Sequence, residues 1–159
     1  GKWTIHRATF DTTRPNGLLF SLDHRTLYVA QSGRRPDEKR QLRAYPVQDD
    51  GSLGEGEVLH DFGGHRGIDG MRLDTEGNLI ATAGWEQGGP GPSIYIFSPS
   101  GKVLERHDIP AQRPTNCCFG GDNLDTLYVT TTEGHLFCAR TDRQARLLPI
   151  PLETLSNLS

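Results

Sequence analysis

Apolar residues along this chain come in short bursts, each broken by clusters of Gly, Pro, Asn, Asp or Ser. That rhythm predicts short strands joined by turns, because period-two alternation bounded by turn formers is the strand signature. Trp3-Thr4-Ile5-His6 reads as a first short strand. Leu18 to Phe20 and Thr26 to Ala30 follow, separated by the turn-sized Ser21-Leu22-Asp23-His24-Arg25. Leu42 to Val47 alternates, Asp49 to Gly54 reads as a turn, and Glu57 to Phe62 ends at Gly63-Gly64. The pattern then repeats: Met71 to Leu73, a turn at Asp74 to Asn78, and Leu79 to Ala83. Gln87 to Pro92 reads as a long flexible loop, before Ser93 to Phe97, a turn at Ser98 to Gly101, and Lys102 to Ile109. A third round gives Pro114 to Phe119, Leu127 to Thr130 and Leu136 to Ala139. Ile150 to Leu152 would add one short strand, and Glu153 to Ser159 reads as a frayed tail.

The repetition fixes the fold class. Arg14-Pro15-Asn16-Gly17-Leu18-Leu19-Phe20 closes with Leu27-Tyr28-Val29-Ala30. Gly67-Ile68-Asp69-Gly70-Met71-Arg72-Leu73 closes with Leu79-Ile80-Ala81-Thr82, and Pro114-Thr115-Asn116-Cys117-Cys118-Phe119 with Leu127-Tyr128-Val129-Thr130. Self-similarity at a period of about 50 residues marks a propeller or solenoid unit. Four short strands per unit make one propeller blade. The predicted architecture is therefore an all-β partial β-propeller over residues 1–150, with blade units near 14–62, 67–109 and 113–150 and a tail at 151–159. Propellers close with about four to eight blades, so three would leave bare strand edges. The expectation is that a missing N-terminal half completes the ring, or that copies of the chain assemble.

Composition narrows the function classes. Of the 159 residues, 34% are hydrophobic, with 19 Gly and 10 Pro, a balance suited to turns rather than long helices. The net charge of −3 is too mild to imply a nucleic-acid partner. Arg34-Arg35 and Lys39-Arg40 are mixed with Asp37 and Glu38 and read as a solvated loop. No stretch approaches the roughly 18 apolar residues that cross a membrane, which leaves a soluble cytoplasmic or periplasmic reading. Cys117, Cys118 and Cys138 show no zinc-type spacing and are expected to be buried free thiols.

Candidate chemistry sits at the start of each repeat. Asn16 and Asp69 lie four positions before Phe20 and Leu73, 53 residues apart, in matched register. Equivalent positions in successive blades face one axis, so the two can converge. An amide and a carboxylate are oxygen ligands of the kind calcium takes. Gly17 and Gly70 are expected to allow a tight turn that presents each side chain. Counting back four from Phe119 gives Thr115, a candidate for substrate contact, with Asn116 one step off. Trp85, ahead of the Gly-Pro segment, is a candidate for stacking on a sugar ring. His65 and Arg66 share a Gly-rich loop with Asp69, but such groups are more often surface residues. Gly-x-Ser-x-Gly and HExxH motifs are absent, so serine-hydrolase and zincin readings have no support.

Taken in order, Arg-Pro-Asn-Gly, Leu-Tyr-Val-Ala, Ile-Asp-Gly-Met, Cys-Cys-Phe-Gly-Gly and Leu-Tyr-Val-Thr resemble the senescence-marker-protein, gluconolactonase and luciferin-regenerating-enzyme-like family. The likeness runs from residue 14 to about 140 and corresponds to the second half of that family's six-bladed propeller. It implies a divalent metal, usually calcium, with zinc, magnesium or manganese as alternatives. It implies Asn16 and Asp69 as metal ligands; an acidic first-blade ligand has no counterpart here. Ile68 stands where Pro is frequent, and Gln31 where many relatives carry Asp. The implied activity is metal-assisted opening of a sugar-type lactone, with Asp69 as both ligand and general base. The alternatives are a propeller used as a non-catalytic binding scaffold, an inactive half-propeller, and, more weakly, phosphotriesterase or strictosidine-synthase-like chemistry.

Overall fold

The computed structural model describes residues 2–146. Its strands are β1 (Pro15–Phe20), β2 (Thr26–Ser32), β3 (Arg40–Pro46), β4 (Glu57–Asp61), β5 (Ile68–Leu73), β6 (Leu79–Trp85), β7 (Gly88–Phe97), β8 (Val103–Asp108), β9 (Pro114–Gly120), β10 (Thr126–Thr131) and β11 (Leu136–Arg140). They form three antiparallel meanders in chain order: β1-β2-β3-β4, β5-β6-β7-β8 and β9-β10-β11. Each sheet is one blade, and β1, β5 and β9 are the inner strands that lie beside one another. The all-β propeller expectation holds, with no helix among the described residues.

Period-two alternation in the middle sheet builds the core. Leu79, Ala81 and Ala83 of β6 and Tyr95 and Phe97 of β7 pack with Tyr28, Leu42 and Ala44 of the first sheet. The intervening Ile80, Ile94 and Ile96 face the other way, onto Cys117, Leu127 and Val129 of the third sheet. A sheet covered on both faces reads as a continuous apolar run, which is why Leu-Ile-Ala-Thr-Ala and Ile-Tyr-Ile-Phe lack clean alternation.

Several expectations need correction. Trp3 to His6 forms no strand; Trp3 is 88% exposed and Ile5 87%, with no sheet edge beside them among the described residues. Gln87 to Pro92 is not a long loop. Glu86 and Gln87 form the hairpin turn, Trp85 pairs with Gly88, and β7 starts there. Gly89 and Gly91, at φ of 67° and 91°, let that strand carry two prolines without a regular ladder. Arg40 is not solvated: it is buried in β3 and its guanidinium donates to the carbonyls of Arg35 and Glu38. All three cysteines are free, but only Cys117 is buried; Cys118 and Cys138 both flank Tyr128 on the exposed side of the third sheet. Ile150 to Leu152 and the 151–159 tail lie outside the described residues.

Candidate active site

The inner strands all break their ladder at the same place. Pairing slips between Pro15 and Leu18 in β1, between Ile68 and Met71 in β5, and beside Thr115 in β9. Such bulges leave residues unpaired and re-aim their side chains. Asn16, Asp69 and Thr115 occupy these bulges at one ladder position, and all three line a cavity of about 170 Å³. Each bulge is braced from its own second strand. Thr82, fully buried, accepts from Gly70 N at 3.0 Å and donates to Gly70 O at 3.2 Å. Thr130 holds the Thr115 hydroxyl at 2.9 Å, so Thr115 is turned toward its own sheet. Gln31 takes the backbone N–H of Thr13 at 3.1 Å and of Arg14 at 3.2 Å, clamping the approach to Asn16.

The glycines serve a purpose other than the expected turn. Neither Gly17 nor Gly70 adopts positive φ. A Cβ on Gly17 would collide with the Asp69 carbonyl oxygen. One on Gly70 would collide with Asn116 Oδ1 and stand 2.7 Å from Asn116 Cα. Glycine is required because successive inner strands close onto one another, and this approach brings Asn16 to Asp69. In the third repeat Asn116 takes the glycine position, and its Oδ1 accepts from Cys117 N at 2.9 Å.

Asn16 Nδ2 donates to Asp69 Oδ1 at 2.8 Å, joining the first and second sheets at the site. The guanidinium of Arg66 donates to Asp69 Oδ2 and forms an ion pair with it. The Asp69 side chain is 14% exposed. Burial pushes its carboxyl above the ordinary value of 3.8, against the opposing pull of Arg66 and, further off, Arg34 and Arg14. Arg66 is the residue undervalued from sequence; its i,i+3 spacing to Asp69 across Gly67 was the available signal. Trp85 is not among the residues lining this cavity. It ends β6 with the Arg113 guanidinium 5.3 Å over its ring, and Arg113 also pairs with Glu86 at 3.4 Å. His65 packs against Gly89 at the start of β7.

Among the described residues no three His, Cys, Asp or Glu side chains converge as a metal cluster. The donors present are the Asp69 carboxylate and the Asn16 amide, and no described group donates to Asn16 Oδ1. Hard oxygen donors of this kind fit part of the shell of a calcium-like cation, which takes about six to eight oxygens.

The profile of the SMP-30/Gluconolactonase/LRE-like region matches residues 1–133. The chain belongs to this family. A 6-deoxy-6-sulfogluconolactonase from Pseudomonas putida is 32% identical over 132 residues, covering 80% of this chain and 42% of that protein. A gluconolactonase from Zymomonas mobilis is 35% identical over 128 residues, covering 76% of this chain and 33% of that protein. A luciferin-regenerating enzyme shares the fold at a TM-score of 0.71 and 26% identity, over 86% of this chain and 48% of that one. The chain thus spans less than half the length of these family members.

Proposed function

We propose that this segment carries part of the active site of a lactone hydrolase that opens sugar-type lactones with the help of a divalent cation. The supporting observation is the Asn16–Asp69 pair at 2.8 Å, built from matched bulges in two blades. Membership in the family, and relatives named as sugar lactonases, support the reaction class. Asn16 and Asp69 would hold the cation, calcium first among the choices for an oxygen donor set. Such a cation, when bound, supplies Lewis-acid polarisation of an ester carbonyl.

The residues of this chain account for the proton and for orientation. Asp69 accepts a proton from the attacking water as its oxygen bonds to the lactone carbonyl carbon. The ring C–O bond then breaks, and the departing ring oxygen takes up a proton, giving the open-chain hydroxy acid. Burial raises the basicity of Asp69 above that of a free carboxylate, while Arg66 keeps it ionised and fixes its rotation. Asn16, as a neutral ligand, adds no negative charge against the oxyanion that develops. The test is hydrolysis of glucono-1,5-lactone by the full-length protein and its Asp69→Ala variant. Turnover that survives the substitution would remove Asp69 as base.

A further inference from the structure

Both carboxylate oxygens of Asp69 are already engaged, and the two groups that engage them differ in kind. Oδ1 accepts from the Asn16 amide at 2.8 Å, and Oδ2 accepts from the Arg66 guanidinium. A side-chain amide carries an acceptor as well as a donor. Turning the Asn16 amide end for end replaces Nδ2 with Oδ1, which converts it from a competitor for Asp69 into a fellow ligand. A guanidinium has donors only and stays charged, so Arg66 makes no such exchange. Arg66 is also held in place. Its carbonyl accepts from Gly84 N at 3.2 Å, which ties the loop before β5 to the end of β6. Its Nε is buried without a partner among the described residues, and Asp69 is its one described ion-pair partner.

We propose that Arg66 sets the metal selectivity of the site: by keeping Asp69 Oδ2, it leaves the carboxylate one oxygen for a cation and disfavours calcium relative to magnesium. The inference rests on the proposed cation site and names the residue that tunes it. Calcium takes about six to eight oxygens and uses carboxylates through one oxygen or two. Magnesium takes about six, in an octahedron that single carboxylate oxygens and water complete. Withholding Oδ2 therefore costs calcium a ligand and costs magnesium little. The positive charge of Arg66 weakens both ions alike. An ordinary outer hydrogen-bond partner orients a ligand, and its loss weakens metal binding. Loss of Arg66 should have the opposite sign, because this residue withholds a ligand atom.

The test is calorimetric titration of the metal-free full-length protein with calcium and, separately, magnesium, for the wild type, Arg66→Met and Arg72→Gln. Methionine keeps an unbranched apolar stem and removes the charge and the donors. Arg72 lines the same cavity but gives its Nη1 to Met71 O at 2.7 Å. Its exchange removes a charge at the cavity and leaves both Asp69 oxygens as they are. Arg66→Met should tighten calcium by about tenfold and magnesium by about threefold or less. Arg72→Gln should leave the ratio of the two affinities unchanged. An unchanged ratio in Arg66→Met, weaker binding of both ions there, or an equal change in Arg72→Gln overturns the proposal, while lactone hydrolysis by the wild type keeps the catalytic reading. No binding by any of the three proteins overturns the proposal and the cation site together. If Arg66→Met does not fold, a crystal structure of the calcium-loaded wild type decides. Calcium on Asp69 Oδ1 alone, with Arg66 on Oδ2, supports the proposal; calcium on both oxygens overturns it.

Discussion

Asp69 combines two opposed influences, burial that resists its charge and an Arg66 guanidinium that favours it. Because a base works only when deprotonated, activity should fall as pH drops through the Asp69 pKa. Arg66→Gln removes the stabilising cation, so the acid limb of the kcat/KM profile should move to higher pH, which a pH–rate series reads directly. Asp69→Ala should cost about 10²- to 10⁴-fold in turnover. At another residue the chemistry is shut down: burial pushes the Cys117 thiol up to about 12, so it stays protonated at neutral pH. Alkylation of the native protein counted by mass should label Cys118 and Cys138 and spare Cys117. At this scale the sequence is partly readable. Asn16 and Asp69 show themselves through shared register with Phe20 and Leu73. Thr115 does too, but its hydroxyl is spent on Thr130. Arg66 stays hidden because its role depends on a loop folding a guanidinium back onto a carboxylate three residues on, which no spacing rule guarantees.

Between elements, the close approach of the inner strands decides the site. Gly70→Ala forces a Cβ into Asn116, so β5 and β9 must separate. The variant should lose about 1–3 kcal/mol in denaturant unfolding and loosen the Asn16–Asp69 pair. Core position matters in the same way. Phe97 is fully buried between the first two sheets, and Phe97→Ala should cost about 3–5 kcal/mol, whereas Phe20, 46% exposed, should cost far less. At the end of β4, Gln41 Nε2 at 2.7 Å and Gly63 N at 2.7 Å hold the Asp61 carboxyl below its usual value. A depressed carboxyl stabilises above the unfolded pKa, near 3.8, and that contribution disappears as pH falls through the folded pKa. Asp61→Asn should therefore flatten the loss of stability below about pH 4 in acid titrations. The strands themselves were legible from alternation and turn residues, because each needs only local chemistry. Trp3 to His6 has the right composition and no partner edge among the described residues, and Gln87 to Pro92 has loop composition and a hairpin partner. Pairing, which composition does not encode, settled both.

Three blades side by side present an unfinished surface among the described residues. The third sheet stops at β11, whose outer edge is unpaired there, and Leu136 is 67% exposed. A bare strand edge is a template for another strand. The 159-residue polypeptide expressed by itself should therefore associate, and sedimentation velocity across a concentration series would show it as a rising weight-average mass. The periodicity made the blades countable in sequence; which surfaces they bury against each other became visible only in the packing of Ile80, Ile94 and Ile96 against the third sheet. The most direct test of the account is lactone hydrolysis by chelator-treated full-length protein, with calcium added back, for the wild type, Asn16→Ala and Asp69→Ala. Calcium should restore turnover of glucono-1,5-lactone in the wild type, Asn16→Ala should need more calcium, and Asp69→Ala should not recover. Absence of metal-dependent turnover in a folded, calcium-saturated wild type would contradict the lactonase reading and leave a propeller that binds without catalysing.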